Sequence, residues 1–234
     1  MKIFLKTGCV VCTAFLLTAL FYEWIFPEIF ITASASADEQ PIRRLDSDAP
    51  VLALTFDTLA DGDTTDLILD ILEKHRIQAA FFVTGAWTDA HPDDIKKIAA
   101  AGHTLGSSGE NHKNMLQLTE EECRSELLTL HQKIKDLTGI DMCLFRPPYD
   151  ACTPELIRTA KKCGYTTLSW DCDSMDWKGY SAEAVVNAVC RNSRLTKGSI
   201  IRMHLGTENT VEALETIIQN LKERGYDFVP LSEF

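Results

Sequence analysis

Positive charge is scarce in this chain. Its 23 Lys and Arg stand against 34 Asp and Glu, a formal net charge of -11 at pH 7. A nucleic-acid surface needs a basic patch to meet phosphates, so this balance argues against such a partner and leaves a neutral glycan open. The cysteines beyond residue 37 are Cys123, Cys143, Cys152, Cys163, Cys172 and Cys190, with no C-x-x-C pair among them, so zinc-finger spacing is absent. They read as small apolar residues, because a domain of this size does not need disulfides to fold. No internal repeat is present, and no low-complexity stretch beyond the Ala-Ser run at 33–37. An unbroken run of roughly 20 apolar residues, the length of a membrane span, is also missing, because Glu23 ends the run from Thr7 to Tyr22.

What the N-terminus does have is Lys2 and Lys6 before that run, a second apolar stretch from Trp24 to Ile31, and the small residues Ala33-Ser34-Ala35-Ser36-Ala37. This is the pattern of an export segment, so residues 1–37 are expected to be a signal peptide or an N-terminal membrane anchor. The protein is then extracellular, in the cell envelope or held at the membrane. Residues 38–49 are polar and predict a disordered linker. Residues 50–234 fit a single domain long enough to bury a full core.

Within that domain short β-prone runs alternate with segments of helical period, which predicts an α/β fold with a parallel sheet. The strand candidates are Val51–Phe56, Ala79–Val83, Cys143–Phe145, Thr166–Trp170, Ser199–Met203 and Asp227–Val229, with His103–Leu105 weaker. Helices are expected over Asp66–His75, Asp93–Ala101, Glu120–Leu137, Pro154–Cys163, Ala182–Cys190 and Val211–Arg224. Thr119 with Glu122, Thr153 before Pro154, and Asn209 with Glu212 mark helix starts; Gly102, Gly164 and Gly225 mark stops. The alternation fits a barrel or a doubly wound sheet. Either fold puts its site at the C-terminal ends of the strands.

Those ends carry Asp57 after Leu54-Thr55-Phe56, the run Asp173-Ser174-Met175-Asp176-Trp177, and Met203-His204. Taken singly, a strand-end Asp caps helices, and His and Trp serve packing. Taken together with Phe145-Arg146-Pro147-Pro148-Tyr149, their order and spacing resemble the polysaccharide deacetylase family, the NodB-homology or carbohydrate esterase family 4 domain. Framework stretches such as Ala79-Ala80-Phe81-Phe82-Val83-Thr84-Gly85 and Gly225-Tyr226-Asp227-Phe228-Val229-Pro230-Leu231 extend the resemblance over Val51 to Phe234.

The resemblance implies a distorted parallel (β/α) barrel and a hydrolase that removes acetyl groups, breaking a C–N amide bond, from peptidoglycan or a chitin-like polymer. It implies Asp57 as the base, Arg146 as the residue orienting it, His204 as the acid tuned by Asp176, and Tyr149 and Trp177 as groove walls. It also implies a divalent, zinc-like metal held by an aspartate and two histidines. Here the family's ligand positions hold Thr58, Ser108 and His112, so His112 is the one ligand kept. The leucine of the acetyl-methyl pocket is Arg202, which is expected to face solvent, a carboxylate or an anionic substrate. No cofactor is assigned unless Asp61, Asp63 or Glu110 rebuild the metal site. The alternative to a deacetylase is a metal-free, glycan-binding or scaffolding relative of the same fold. A third reading gives Arg202 the ion's electrostatic task in a metal-free hydrolase.

Overall fold

The structure is a computed structural model that describes residues 39–58 and 64–231. The expected export segment lies outside the described residues, as do Asp61 and Asp63.

β1 (Val51–Thr58) is buried continuously from Leu52 to Phe56, which suits a strand covered on both faces. It pairs in parallel with β2 (Ala80–Val83) on one side and with β7 (Ile200–Leu205) on the other. Beyond β2 follow β3 (Thr104–Ser107), β4 (Leu144–Phe145) and β5 (Thr166–Thr167); beyond β7 lies β6 (Cys172–Asp173), while β8 (Asp227–Phe228) pairs with the start of β1. Every pairing between these strands is parallel.

The strands are linked by α1 (Thr65–His75), α2 (Gly85–Ala90), α3 (Pro92–Ala100), α4 (Glu120–Thr138), α5 (Pro154–Lys162), α6 (Ala182–Cys190) and α7 (Glu208–Glu223). Alternation along β1 divides the core. Leu52, Leu54 and Phe56 join the cluster shared with Ile68, Leu72, Leu214 and Ile217 of the helices. Ala53 faces the other way, into a smaller cluster with Ala80, Phe82, Leu144, Leu168 and Ile200. This is a curled parallel sheet wrapped in helices, the distorted barrel of a single domain, and it decides between the two folds that periodicity left open.

Local signals account for most boundaries. Thr119 and Glu122 form a reciprocal capping box, and the Thr153 hydroxyl accepts from the Leu156 N–H. The start expected at Asn209 with Glu212 is corrected: Thr207 caps α7, its hydroxyl accepting from the Thr210 N–H. α2 and β6 were not expected, because six and two residues are too short to show a period.

The linker expectation is also corrected over residues 39–49. Ile42 bridges to Leu168 just after β5, and Arg44 bridges to Ser199 just before β7. Leu45 is buried in the inner cluster. The segment therefore laces one edge of the curled sheet to the strand near the other. Polarity hid this, because Arg43 and Arg44 point outward to Asp150 and Asp171 while Ile42 and Leu45 point in.

Candidate functional site

Parallel register brings the site together. Asp57 on β1 is the Cα partner of His204 on β7, and Thr55 that of Arg202, so both β7 side chains share one face beside β1. At this end a cavity of about 430 Å³ is lined by Asp57, Thr58, Ser108, His112, Arg146, Tyr149, Trp177, Arg202 and His204. Every site position expected from sequence is there except Asp176, which sits beneath His204.

Two ion pairs order the floor. Arg146, 2 % exposed, donates from Nη1 to Asp57 Oδ1 at 2.6 Å and from Nη2 to the Thr55 hydroxyl at 3.0 Å. Its guanidinium lies 3.9 Å from the Phe82 ring centroid. Phe82 can lie there because residue 106 is glycine: a Cβ on Gly106 would come within 2.7 Å of that ring. Burial pulls the Arg146 pKa below its ordinary value, opposed by the Asp57 charge, and the guanidinium remains a cation.

The second pair is buried. Asp176 Oδ1 meets His204 Nδ1 at 2.6 Å, while its Oδ2 accepts from the His204 N–H at 2.8 Å and the Thr210 hydroxyl at 2.5 Å. Burial pushes this carboxyl up, but the hydrogen bonds from His204 and Thr210 outweigh it and hold the pKa below the usual carboxylate value. With Nδ1 engaged, Nε2 is the His204 nitrogen left to exchange a proton with a ligand.

Arg202 meets the sequence expectation by finding a carboxylate. Its Nη2 donates to Asp173 Oδ2 at 2.5 Å, and its guanidinium stacks 3.6 Å from the Trp170 ring centroid. Its Nη1 stops 3.9 Å from Asp57 Oδ2, too far for a hydrogen bond. Trp170 also stands 5.5 Å from the Arg146 guanidinium and lines the cavity. Sequence reasoning gave it no site role, because it closes a β-prone run where an aromatic is ordinary packing.

Backbone strain concentrates on the same rim. Among the described residues five non-glycine residues have positive φ, and four of them, His112, Tyr149, Asp150 and Met175, lie in the loops around the cavity. The fifth, Arg76, ends α1. Asp150 is pinned by the Ser169 hydroxyl at 2.6 Å and by Arg43 at 3.0 Å. Tyr149 then stands 69 % exposed with its ring 5.1 Å from that of His112.

A divalent cation would meet a poor set of donors here. The three positions supply one imidazole, His112, and two hydroxyls, Thr58 and Ser108, all lining the cavity. Burial, helped by the His204 charge and opposed by that of Asp57, lowers the His112 pKa, so the ring is neutral at pH 7. The Thr58 hydroxyl is buried with no hydrogen-bond partner among the described residues. Glu110 is bound by Lys133 at 2.7 Å and crowds Gly85, where a Cβ would lie 2.1 Å from its carboxylate. Among the described residues no three His, Cys, Asp or Glu side chains are placed to hold one metal ion, whereas a catalytic zinc commonly has three protein ligands. The donors among the described residues, one imidazole and two hydroxyls, do not fit the metal.

The polysaccharide deacetylase family model matches residues 44–168. A peptidoglycan-N-acetylglucosamine deacetylase of Bacillus cereus is 34 % identical over 184 residues, covering 77 % of this chain and 66 % of the relative. PgdA of Listeria monocytogenes, a deacetylase of the same description, is 31 % identical over 78 % of this chain, which spans only 38 % of that protein. Among solved structures, a CE4 family pseudoenzyme from Bacillus anthracis is similar with a TM-score of 0.78 and 31 % identity, over 83 % of this chain and 68 % of the other. The Bc1960 peptidoglycan N-acetylglucosamine deacetylase is similar with a TM-score of 0.76 and 31 % identity, over 81 % of this chain and 90 % of the other.

Proposed function

The chain belongs to the polysaccharide deacetylase family, and from that premise we propose that its pocket binds an N-acetylated cell-envelope glycan without metal-dependent deacetylation. The observation that carries this reading is the donor set of one imidazole and two hydroxyls at Thr58, Ser108 and His112. The relatives that deacetylate peptidoglycan support the glycan class, and the family pseudoenzyme supports a scaffold kept without its chemistry. An N-terminal export segment would place the domain where such a glycan is found.

The polar groups suit an acetamido substituent. Asp57 Oδ2 can accept its N–H, while His204 Nε2 and Arg202 Nη1 face the same cavity as partners for its carbonyl and neighbouring hydroxyls. Tyr149 and Trp177 supply flat apolar walls for the sugar ring. Arg146 is matched by Asp57 and Arg202 by Asp173, so the pocket is close to charge-balanced and favours a neutral sugar over an acidic one.

The second reading is a hydrolase, and one observation favours it. The Asp57–Arg146 and Asp176–His204 pairs hold a carboxylate and an imidazole in the arrangement that acid–base chemistry needs. Calorimetric titration with chitin oligosaccharides, beside an assay of acetate release from the same sugars and from peptidoglycan, separates the two. Saturable binding with no acetate is expected. Acetate release by the unaltered protein, abolished in Asp57→Asn, would establish the hydrolase instead.

A further inference from the structure

The segment that leads into β1 also grips the pocket from outside. Residues 168–171 cross from β5 to β6, and Trp170 among them lines the cavity beside the Arg202 and Arg146 guanidinium groups. Residues 42–44 hold this crossing along its length. The Ile42 N–H donates to the Thr167 carbonyl at 3.0 Å, and the Ser169 N–H donates to the Ile42 carbonyl at 2.8 Å. Arg43 Nη1 donates to the Trp170 carbonyl at 3.2 Å, and Arg44 pairs with Asp171 at 2.5 Å. Ile42 and Trp170 both pack against the inner cluster that contains Leu45.

The same residues reach the rim. Tyr149 and Asp150 are consecutive left-handed residues, at φ 62° and 55°, a conformation that is costly for a residue with a Cβ. Two hydrogen bonds hold the Asp150 carboxylate against that strain, from the Ser169 hydroxyl and from Arg43 Nη2. Both lead back to the same short segment, because the Ser169 N–H is bonded to Ile42. Arg43 thus ties the Trp170 wall to the Tyr149 rim through one guanidinium, without itself lining the cavity. Its side chain is 47 % exposed, and an ion pair so open to water adds little to global stability. What it supplies is local geometry.

We infer that Arg43 is a positioning residue of the pocket, holding the Trp170 wall and the Tyr149 rim in place from outside the cavity. For its ligand the inference rests on the glycan-binding reading above. It gives the segment between the expected export segment and β1 a part in binding as well as in folding. It also separates Arg43 from its neighbour Arg44, whose partner Asp171 does not line the cavity.

The test is amide hydrogen exchange read by mass spectrometry, beside calorimetric titration with the chitin tetramer, on the full-length protein and its Arg43→Ala, Arg43→Lys and Arg44→Ala variants. The Asp150 and Ala151 N–H groups donate to the Pro147 and Pro148 carbonyls at 3.2 and 3.1 Å and report the rim. In Arg43→Ala they should exchange on the order of tenfold faster while α4 is unchanged, and tetramer affinity should fall on the order of fivefold. Arg43→Lys keeps a cation for Asp150 and should recover most of the rim protection, although it loses the forked contact to the Trp170 carbonyl. Arg44→Ala should match wild type at the rim and in affinity. Equal rim exchange in wild type and Arg43→Ala overturns the inference. So does faster rim exchange with unchanged tetramer affinity, or an equal rise in α4, which would leave Arg43 a general stabilising role. Failure of wild type to bind the tetramer overturns the glycan reading, and rim exchange then still decides whether Arg43 positions Tyr149.

Discussion

Arg146→Ala should lower the stability of the fold by about 3–5 kcal/mol, read as a drop in the urea midpoint at unchanged slope. The guanidinium is 2 % exposed, and Asp57 depends on it for its one close ion pair. Truncation leaves that carboxylate at the end of β1 with only Arg202, 3.9 Å away, and opens a void between Phe82 and Trp170. The penalty comes from the orphaned charge more than from the lost attraction. The double variant Arg146→Met, Asp57→Asn should therefore recover most of the loss, since neither charge remains. A loss under about 1 kcal/mol for Arg146→Ala would mean that water reaches Asp57 and solvates it.

Acid should weaken the fold through His103, well away from the cavity. This ring is 7 % exposed, its Nδ1 accepts the Ala79 N–H at 3.2 Å, and it lies 5.3 Å from the Phe81 ring. Burial lowers its pKa from 6.5 to about 4. A folded pKa below the unfolded one means that the unfolded chain binds the proton first as pH falls. Stability from this group is therefore complete above pH 6.5 and drains away down to about pH 4, by roughly 3 kcal/mol in all. His112 adds to the same trend, its pKa being lowered by burial. Asp176 adds to it only below its ordinary value of 3.8, because its carboxyl is held down. Urea titrations at pH 7.5, 6, 5 and 4.5 should show this slope in wild type and a much flatter one in His103→Gln. An unchanged slope in the variant would assign the acid sensitivity to other groups.

Much of this molecule was legible in the sequence because its signals are local or sit at strand ends. The capping box at Thr119 and the proline after Thr153 mark helix starts in any context. Asp57, Arg146, Tyr149, Trp177 and His204 converge because each lies near the end of a strand of one parallel sheet or follows it, so order along the chain translated into proximity, and Arg202 joins them from within β7 on the face it shares with His204. The Asp176–His204 bond was implied by the family resemblance instead.

What sequence could not give depends on neighbours brought from elsewhere. Ile42 and Leu45 are two apolar residues in a polar stretch, and only the bridges beside β5 and β7 and the inner cluster make them structural. Trp170 looks like the tail of a strand until Arg202 and Arg146 are found around it. Thr207 displaced the expected cap at Asn209 because its hydroxyl also reaches Thr210, which in turn holds Asp176. Each of these is a tertiary contact overriding a local pattern.

The most direct measurement is zinc titration by calorimetry of the metal-stripped protein beside the Thr58→Asp, Ser108→His double variant, which restores an acid and a second imidazole to His112. Thr58, Ser108 and His112 all face one cavity, so the variant would carry three protein ligands in one place. The unaltered protein should give no binding heat at micromolar zinc, and the variant should bind with one-to-one stoichiometry. Tight zinc binding by the unaltered protein would contradict the account and return the pocket to metal-dependent chemistry.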